Sequence, residues 1–262
     1  MRRFTSEYLA ATREGMWADS REALAPLDLP TRECVVDVGA GTGEFTRVLR
    51  EETEGAVLAL DADLALLSTA DPPCVLGDAT RLPIRTDGVD LAVCQALLVN
   101  MPDPAAVITE FARASRDLVA AVEPDNASVA VESTVPAEAG LAEQARERYL
   151  AGLETDATLG DVSGLFEDAA LTDVSVRRYE HVRTVEGPYS ERDLEAARRK
   201  ATGEGLGSDR PTILAGPTTE AEYDELRRAW REMGREVVDQ MQAGDYRRRE
   251  TIPFYVTVGR VA

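Results

Sequence analysis

Three glycines and an acid lie close together in the stretch C-V-V-D-V-G-A-G-T-G-E-F-T-R-V-L, from Cys34 to Leu49. An apolar strand pattern leads into Gly39, Gly41 and Gly43, and a helical pattern with apolar anchors follows directly. A strand, a glycine turn and a helix N-terminus bring backbone N–H groups close to a ligand. Glycine permits that approach and the positive φ of a tight turn. The stretch therefore predicts a site for an anionic or nucleotide-like ligand.

The spacing of the glycines narrows the ligand. A dinucleotide-binding turn G-x-G-x-x-G would place its third glycine at position 44, where this chain has Glu44. The glycines instead follow G-x-G-x-G, and Asp37 stands two residues before the first of them. This pattern favours S-adenosylmethionine over a nicotinamide dinucleotide.

Acids also follow the next two predicted strands. Asp61 comes directly after V-L-A-L, 22 residues beyond Gly39, where a carboxylate can accept hydrogen bonds from both ribose hydroxyls. The alternative for Asp61 is a simple cap, and the nearby Asp63 suits the N-cap of the following helix. In G-D-A at 77–79, a carboxylate at Asp78 can accept from an adenine amine; the alternative is a plain Gly-Asp turn.

Two further side chains leave the sheet at the same edge. Gln95 stands where the fourth predicted strand ends, so we expect it near the methionine part of the cofactor. Glu123 ends the fifth strand in V-E-P-D and could face the crevice. Either residue could equally be a satisfied loop residue.

The elements that must position these residues alternate regularly. Strands are predicted at 34–38, 56–60, 74–76, 90–94 and 117–122, and helices at 43–53, 63–69 and 104–115. This alternation indicates a parallel sheet covered by helices on both faces. An amphipathic helix is predicted at 5–25. After Pro124 we expect helices at 137–153, 160–170, 190–204 and 219–243, a Gly/Pro loop between the last two, and strands at 174–185 and 252–261. If these two strands are neighbours, residues 187–250 form an insertion between them.

The predicted organisation has three parts. Residues 1–29 form an N-terminal helical cap segment, and residues 30–125 form the cofactor-binding core. Residues 126–262 complete the Rossmann-like domain, with helical insertions at about 126–158 and 187–250 that form a substrate cap.

Four stretches together resemble the class I S-adenosylmethionine-dependent methyltransferases, in particular the small-molecule "methyltransferase type 11" group. They are V-D-V-G-A-G-T-G, A-L-D-A-D, G-D-A-T-R-L-P-I-R-T-D-G-V-D-L-A-V and V-E-P-D, within about residues 30–125. A weaker likeness, F-E-D-A-A-L-T-D-V-S-V, lies at 166–176. The resemblance implies an α/β, Rossmann-like fold: seven mostly parallel strands with an antiparallel final strand, helices on both faces and an α-helical cap or insertion.

The resemblance also implies S-adenosylmethionine as methyl donor and S-adenosylhomocysteine as product. Carried over by position, Asp37 and Gly39 would hold the methionyl amino and carboxylate groups. Asp61 would take the ribose, Asp78 and Ala79 the adenine, and Gln95 would lie near the reactive end. The predicted cofactor site consists of Asp37, Gly39, Ala40, Gly41, Gly43, Asp61, Ala62, Asp78, Ala79 and Gln95.

The catalytic residue is left open. Candidate general bases are Tyr8, Glu14 and Glu123, and the sequence does not choose among them. Many relatives carry a histidine after the fourth strand, where this chain has Asn100. His181, the sole histidine, is predicted to have a structural or surface role.

Composition limits the partners. The acids outnumber the bases, 48 to 29, giving a net charge of −19 that repels nucleic-acid phosphates. No apolar run is long enough to span a membrane, and the N-terminus is not a secretory signal, so we expect a cytoplasmic protein with a small-molecule substrate. The three cysteines are far apart and lie in apolar runs, which predicts buried thiols and no metal site.

Three classes of function stay open at this point. The first is a methyltransferase for the O, N or C atom of a small molecule, by direct in-line displacement. The second is a methyltransferase for tRNA or protein, for which Arg247, Arg248 and Arg249 offer one basic patch. The third is a non-catalytic S-adenosylmethionine-binding protein or a nucleotide-binding oxidoreductase.

The acid excess leads to a prediction about salt. Acid-rich, lysine-poor chains resemble proteins of salt-accumulating haloarchaea, where molar salt screens self-repulsion. We expect a higher melting temperature in molar KCl than in dilute buffer, measured by thermal unfolding. A protein of balanced charge, melted in the same buffers, is the control. An unchanged melting temperature across that range would contradict the prediction.

Overall fold

The computed structural model describes Met16, Trp17 and residues 20–262. The helix predicted at 5–25 therefore lies largely outside the described residues. Where it is described, Arg21–Leu27 forms a 3-10 helix rather than an α-helix. Pro26 explains the difference, because it has no N–H to donate and disfavours helical backbone at the residue before it.

The chain divides into two units. The first consists of Met1–Asp125, Thr158–Tyr179 and Pro253–Ala262, and the second of Asn126–Ala157 and Glu180–Ile252. The role of the inserted segments as a substrate cap stays a prediction.

The first unit contains the predicted parallel sheet. Its strands are β1 (Cys34–Val38), β2 (Ala56–Asp61), β3 (Cys74–Leu76), β4 (Val89–Gln95) and β5 (Ser115–Pro124). They pair in the order β3-β2-β1-β4-β5, all parallel. The helices between them are α1 (Glu44–Glu52), α2 (Leu64–Leu67) and α3 (Pro104–Ala114). The predicted alternation is confirmed, and the carboxyl ends of these strands share one edge of the sheet.

Buried side chains explain why these segments fold as they do. β4 is buried along its whole length, as a parallel strand covered on both faces must be. Phe111 of α3 is fully buried in the apolar cluster that also includes Val36 and Ala92. A Pro at the first position of α3 and the Asp103 side chain, which accepts from the Ala106 N–H, begin that helix.

Two long strands complete the sheet. β8 (Arg248–Arg260) pairs antiparallel with β5, and β7 (Thr172–Val185) pairs with β8. The two C-terminal strands are therefore neighbours, a pairing that the sequence left open, and the antiparallel final strand is confirmed. The helix α5 (Ser163–Asp168) precedes β7, and its Phe166 is fully buried.

The second unit holds an eighth strand that the sequence did not indicate. β6 (Ala130–Ser133) pairs antiparallel with the first residues of β8, so the described part of the chain forms a sheet of eight strands rather than seven. The unit's helices are α4 (Glu138–Ala151), α6 (Glu191–Thr202), α7 (Glu204–Ala215) and α8 (Glu220–Ala243). α6 and α8 each begin with a capping box, at Ser190 and Thr219.

The Gly/Pro loop predicted before α8 is wrong, because that segment is α7, with Pro211 inside the helix. Tertiary packing overrides the local sequence signals here. Leu206 and Ile213 of α7 are buried against Tyr223 and Leu226 of α8. The Tyr223 hydroxyl also donates to the Leu206 carbonyl over 2.9 Å.

A buried ion cluster lies in the second unit. The Glu138 carboxylate, 1% exposed, accepts from Lys200, the chain's single lysine, and from the Ser133 and Tyr246 hydroxyls. Arg248 approaches the same carboxylate to 3.3 Å. Burial raises the pKa of Glu138, but the Lys200 charge and these hydrogen bonds outweigh it and hold that pKa below its usual value. Among the described residues, no helix is long and apolar enough to cross a membrane.

The close contact of α6 with α8 gives a stability prediction. A Cβ at Gly234 would meet the backbone of Lys200 and Ala201 closer than real Cβ atoms approach. We expect Gly234→Ala to lower the free energy of unfolding by about 1–3 kcal/mol, measured by urea denaturation. Gly140→Ala is the control, because a Cβ at this exposed position in α4 has nothing within 4 Å. The control should gain up to about 1 kcal/mol, and equal effects of the two changes would contradict the packing.

Candidate active site

The glycine turn follows β1 and opens α1. Gly39, Gly41 and Gly43 have φ of 75°, 58° and 85°, in the left-handed region that favours glycine. The N–H groups of Gly39 and Ala40 both donate to the carbonyl of Leu60, over 2.7 and 3.0 Å. The turn is therefore fixed to the end of β2, and its backbone lies at the edge where the parallel strands end.

Asp37 lies at the end of β1, beneath that turn. Its side chain is 1% exposed, and its Oδ2 accepts from the Thr46 hydroxyl over 2.6 Å. Thr46 is the third residue of α1, so this hydrogen bond ties the strand to the first turn of the helix. A buried carboxylate at this position can attract the amino group of an amino-acid ligand.

Asp61 connects β2 to the glycine turn. Its Oδ2 accepts from the Gly41 N–H and its Oδ1 from the Asp63 N–H, each over 2.8 Å. Each carboxylate oxygen offers about two acceptor sites, so both keep one for a ligand hydroxyl. Asp61 is half-buried, and Ala62 beside it is exposed. Asp63 caps α2 by accepting from Ala65 N–H, so its predicted capping role is confirmed.

Asp78 and Ala79 follow β3. Asp78 is exposed, and its Oδ1 accepts from the N–H and hydroxyl of Thr80, each over 2.8 Å. These hydrogen bonds lower the pKa of Asp78, so the side chain stays a carboxylate. The geometry is that of the tight turn weighed as the alternative, and it leaves Oδ2 without a donor among the described residues. Ala79 is buried.

Gln95 ends β4 and is 3% exposed. Its Nε2 donates to the Met16 sulfur over 2.8 Å, and its Oε1 accepts from the Trp17 indole over 3.4 Å. Trp17 in turn stacks on Phe45 and contacts Tyr179 in a tilted arrangement, and Tyr179 stacks on Phe254. These four rings form one continuous line, which we call the aromatic row: Phe45, Trp17, Tyr179 and Phe254.

Glu123 does not face a crevice, which corrects the expectation that it could act as a base from β5. Its side chain is fully buried. It accepts from the backbone N–H groups at 97, 98 and 99 over 3.0, 3.0 and 3.3 Å. Glu123 thus satisfies the start of the 3-10 helix Leu98–Asn100, which is the satisfied structural role weighed as its alternative. Tyr8 and Glu14, the other candidate bases, lie outside the described residues.

The sequence did not predict two structural features of the segment that follows β4. Ala96 has a φ of 50°, a strained conformation for a residue with a Cβ. Asn100 is buried; its Nδ2 donates to the Ala96 carbonyl over 2.9 Å, and its Oδ1 has no partner among the described residues. A single sequence carries no pattern that marks such a conformation at alanine.

His181 lies on β7 in the second unit and is buried rather than on the surface. Burial, and then the charge of Arg183, lower its pKa, so the imidazole is neutral. Cys34 and Cys74 are half-buried, Cys94 is buried, and all three thiols are free. No group of three potential metal ligands occurs among the residues that the structure describes.

Known proteins match this part of the chain. Residues 36–117 match the family described as a methyltransferase domain. Demethylmenaquinone methyltransferase of Mycobacterium sp. is 33% identical over 115 residues, covering 43% of this chain and 49% of that protein. Malonyl-[acyl-carrier protein] O-methyltransferase 1 of Coxiella burnetii is 44% identical over 59 residues, 22% of this chain and 21% of that protein. The chain thus spans about half the length, or less, of these curated relatives.

Solved structures share the fold. A candidate methyltransferase of Bacillus halodurans has a TM-score of 0.54 and 16% identity, covering 93% of this chain and 99% of that one. The YcgJ protein of Bacillus subtilis has a TM-score of 0.51 and 12% identity, covering 92% and 99%. The sheet is thus the mixed, mostly parallel Rossmann-like sheet of methyltransferase structures. The likeness to a methyltransferase domain thus lies in residues 36–117, and the solved structures share the fold of the sheet.

The buried Glu123 gives a pH prediction. Burial raises its pKa from 4.5 to about 7, although three backbone N–H groups and the Cys94 thiol oppose the shift. The folded protein therefore holds a proton that the unfolded chain releases. The stability that this proton contributes is complete below pH 4.5 and is lost as the pH rises through about 7.

Replacing Glu123 by Gln should remove this loss of stability at rising pH. We expect the stability of the wild type relative to Glu123→Gln to fall by roughly 3 kcal/mol between pH 4.5 and pH 8, measured by urea denaturation. Glu132→Gln, at an exposed position of β6, is the control and should leave the pH profile unchanged. A constant difference between wild type and Glu123→Gln would show that Glu123 does not titrate in this range.

Proposed function

We propose that the protein is an S-adenosylmethionine-dependent methyltransferase that acts on a small molecule. The observation that carries the proposal is the arrangement at one sheet edge of Asp37, the glycine turn, Asp61 and Asp78. Asp37 and Asp61 lie at the carboxyl ends of β1 and β2, the glycine turn follows β1, and Asp78 follows β3; these three strands are adjacent in the sheet. A ligand with an amino-acid tail, a ribose and an adenine presents its polar groups in the same order.

The residues present fit that cofactor. At Gly39 the φ of 75° would strain a larger residue, so glycine keeps the backbone of the turn open to a ligand. The remaining acceptor sites of Asp61 suit two ribose hydroxyls. Glu44 stands where a dinucleotide turn needs its third glycine, which argues against the oxidoreductase alternative.

When bound, the cofactor supplies an activated methyl group on a sulfonium. The protein must then hold the acceptor in line with the methyl group and exclude water. Such positioning is worth about 7–11 kcal/mol of the barrier. Of the residues described, Gln95 ends β4 nearest to that space, and Trp17 donates to its side chain over 3.4 Å.

Charge and packing favour a small-molecule acceptor over nucleic acid. The net charge of −19 opposes binding to phosphates. The basic patch at 247–249 is also weaker than its sequence suggests, because Arg248 forms an ion pair with Glu250 over 2.8 Å and approaches Glu138. The name of the mycobacterial relative, a demethylmenaquinone methyltransferase, lends further support.

Adaptation to molar salt is a separate proposal. It is supported by the excess of acids over bases and by the presence of a single lysine, Lys200, which is half-buried in an ion pair with Glu138. The comparisons do not support a haloarchaeal origin, so the proposal depends on these charges alone.

Calorimetric titration tests the function. We expect micromolar binding of S-adenosylhomocysteine and no binding of NAD. Asp61→Asn should weaken S-adenosylhomocysteine at least tenfold, because an amide nitrogen replaces one of the two acceptor oxygens, a loss of about 1–3 kcal/mol. Asp63→Asn is the matched control: asparagine caps a helix as well as aspartate, so its affinity should stay near that of the wild type.

Two outcomes would count against this assignment. Binding of NAD in place of S-adenosylhomocysteine would favour the oxidoreductase. Equal losses in Asp61→Asn and Asp63→Asn would remove Asp61 from the ribose site. Incubation with labelled S-adenosylmethionine and a metabolite extract, then with RNA, separates small-molecule from macromolecular acceptors.

A further inference from the structure

The turn at 96–100, which follows β4, lies at the sheet edge that carries the proposed cofactor site. At its start, Ala96 has a φ of 50°, which strains a residue with a Cβ. Four residues on, the Oδ1 of buried Asn100 has no hydrogen-bond partner among the described residues. Backbone strain and an unpaired buried oxygen each cost folding free energy, and residues that bear such costs cluster at functional sites. Both costs therefore direct attention to what this turn holds in place.

The Asn100 side chain holds the carbonyl group of Ala96. The N–H groups of the turn are bonded to β5: Ala96 donates to the Val122 carbonyl over 2.9 Å, and the next three residues donate to the Glu123 carboxylate. The Ala96 carbonyl instead accepts from the Asn100 Nδ2, over 2.9 Å. The strained peptide is thus fixed on both sides, by β5 at its N–H and by Asn100 at its carbonyl.

The residue after Ala96 connects the turn to the proposed cofactor site. The Leu97 side chain lies against Gly39, since an ideal Cβ on that glycine would lie 2.9 Å from the Leu97 Cδ1. Leu97 therefore occupies the space that a side chain at Gly39 would need. Both residues are partly exposed, so a ligand can contact them. Because the Gly39 N–H donates to the Leu60 carbonyl, Gly39 contacts both β2 and the turn at 96–100.

The backbone conformation of Ala96 decides where Leu97 lies. Alanine prefers a negative φ, and the left-handed region is costly for it. With its N–H fixed to β5, a change of φ at Ala96 to a negative value would redirect the chain that follows and move Leu97 away from Gly39. Ala96 is therefore the link between the Asn100 amide and the glycine turn.

Building on the proposed methyltransferase function, we propose that Asn100 is a positioning residue for S-adenosylmethionine. Its amide holds Ala96 in the left-handed conformation, and Ala96 in turn places Leu97 against Gly39, beside the methionyl end of the cofactor. In this role Asn100 touches neither the cofactor nor the methyl acceptor, and it acts through Ala96 and Leu97.

Calorimetric titration of S-adenosylhomocysteine, with a rescue variant, tests the proposal. Asn100→Ala removes the amide, and we expect the affinity to fall about tenfold, as for the loss of one hydrogen bond. The melting temperature should change little, because the same substitution removes the unpaired Oδ1. Glycine adopts a positive φ without steric cost. In the double variant Ala96→Gly/Asn100→Ala, the affinity should therefore return close to that of the wild type.

A third substitution tests the order of the contacts. Leu97→Ala should weaken S-adenosylhomocysteine by a similar factor, because it removes the contact with Gly39. Ala96→Gly should not restore that affinity, since Leu97 acts after Ala96. Asn126→Ala is the matched control: the Asn126 Nδ2 also donates to a backbone carbonyl, that of Ala157, but in the second unit. Its affinity for S-adenosylhomocysteine should equal that of the wild type.

Three results would overturn the inference: an unchanged affinity in Asn100→Ala, a loss that Ala96→Gly does not restore, or recovery of Leu97→Ala by Ala96→Gly. Should Asn100→Ala lose its cooperative melting, the double variant must restore both melting and affinity, and restored melting with weak binding overturns the inference as well. If the wild type itself does not bind S-adenosylhomocysteine, the proposed function fails instead.

Discussion

The site depends on the attachment of the glycine turn to the end of β2. The Leu60 carbonyl accepts from Gly39 and Ala40, and the Asp61 carboxylate accepts from Gly41. Three consecutive N–H groups are thereby held by two consecutive residues of the neighbouring strand. Because φ is positive at Gly39 and Gly41, larger residues could not make these contacts without strain. One carboxylate thus both orders the turn and keeps acceptor sites for a ligand.

A second buried carboxylate, on β5, holds the backbone that follows β4 at the same edge of the sheet. Glu123 of β5 accepts from three consecutive N–H groups that follow β4. Desolvation outweighs these hydrogen bonds and raises its pKa to about 7. The same raised pKa would suit a general base, but geometry comes first: a group enclosed by backbone donors cannot reach a substrate proton. Glu123 is therefore a structural acid that fixes the segment carrying Leu97 and Asn100.

Sequence patterns predicted those features of the site that depend on residues close together in the chain. The strand-turn-helix around Gly39, the position of Asp61 and the cap at Asp63 depend on residues within one β-α unit, so their spacing predicts them. Local signals failed where distant packing decides the structure. Pro211 indicated a loop, but burial of Leu206 and Ile213 keeps that segment helical. The strand β6 was missed because its four residues gain a partner only when β8 lies beside them.

The residues proposed to bind the methyl donor differ in the same way from the residues that could contact the methyl acceptor. Every predicted cofactor residue lies between Asp37 and Gln95, inside or beside the segment that matches the methyltransferase domain family, 36–117. Three members of the aromatic row, Trp17, Tyr179 and Phe254, come from three segments outside that match. Likeness to relatives within the matched segment therefore bears on the methyl donor. The identity of the acceptor depends on residues that only the fold brings together. The rings from these three distant segments therefore bear on the acceptor more directly than the glycine turn does.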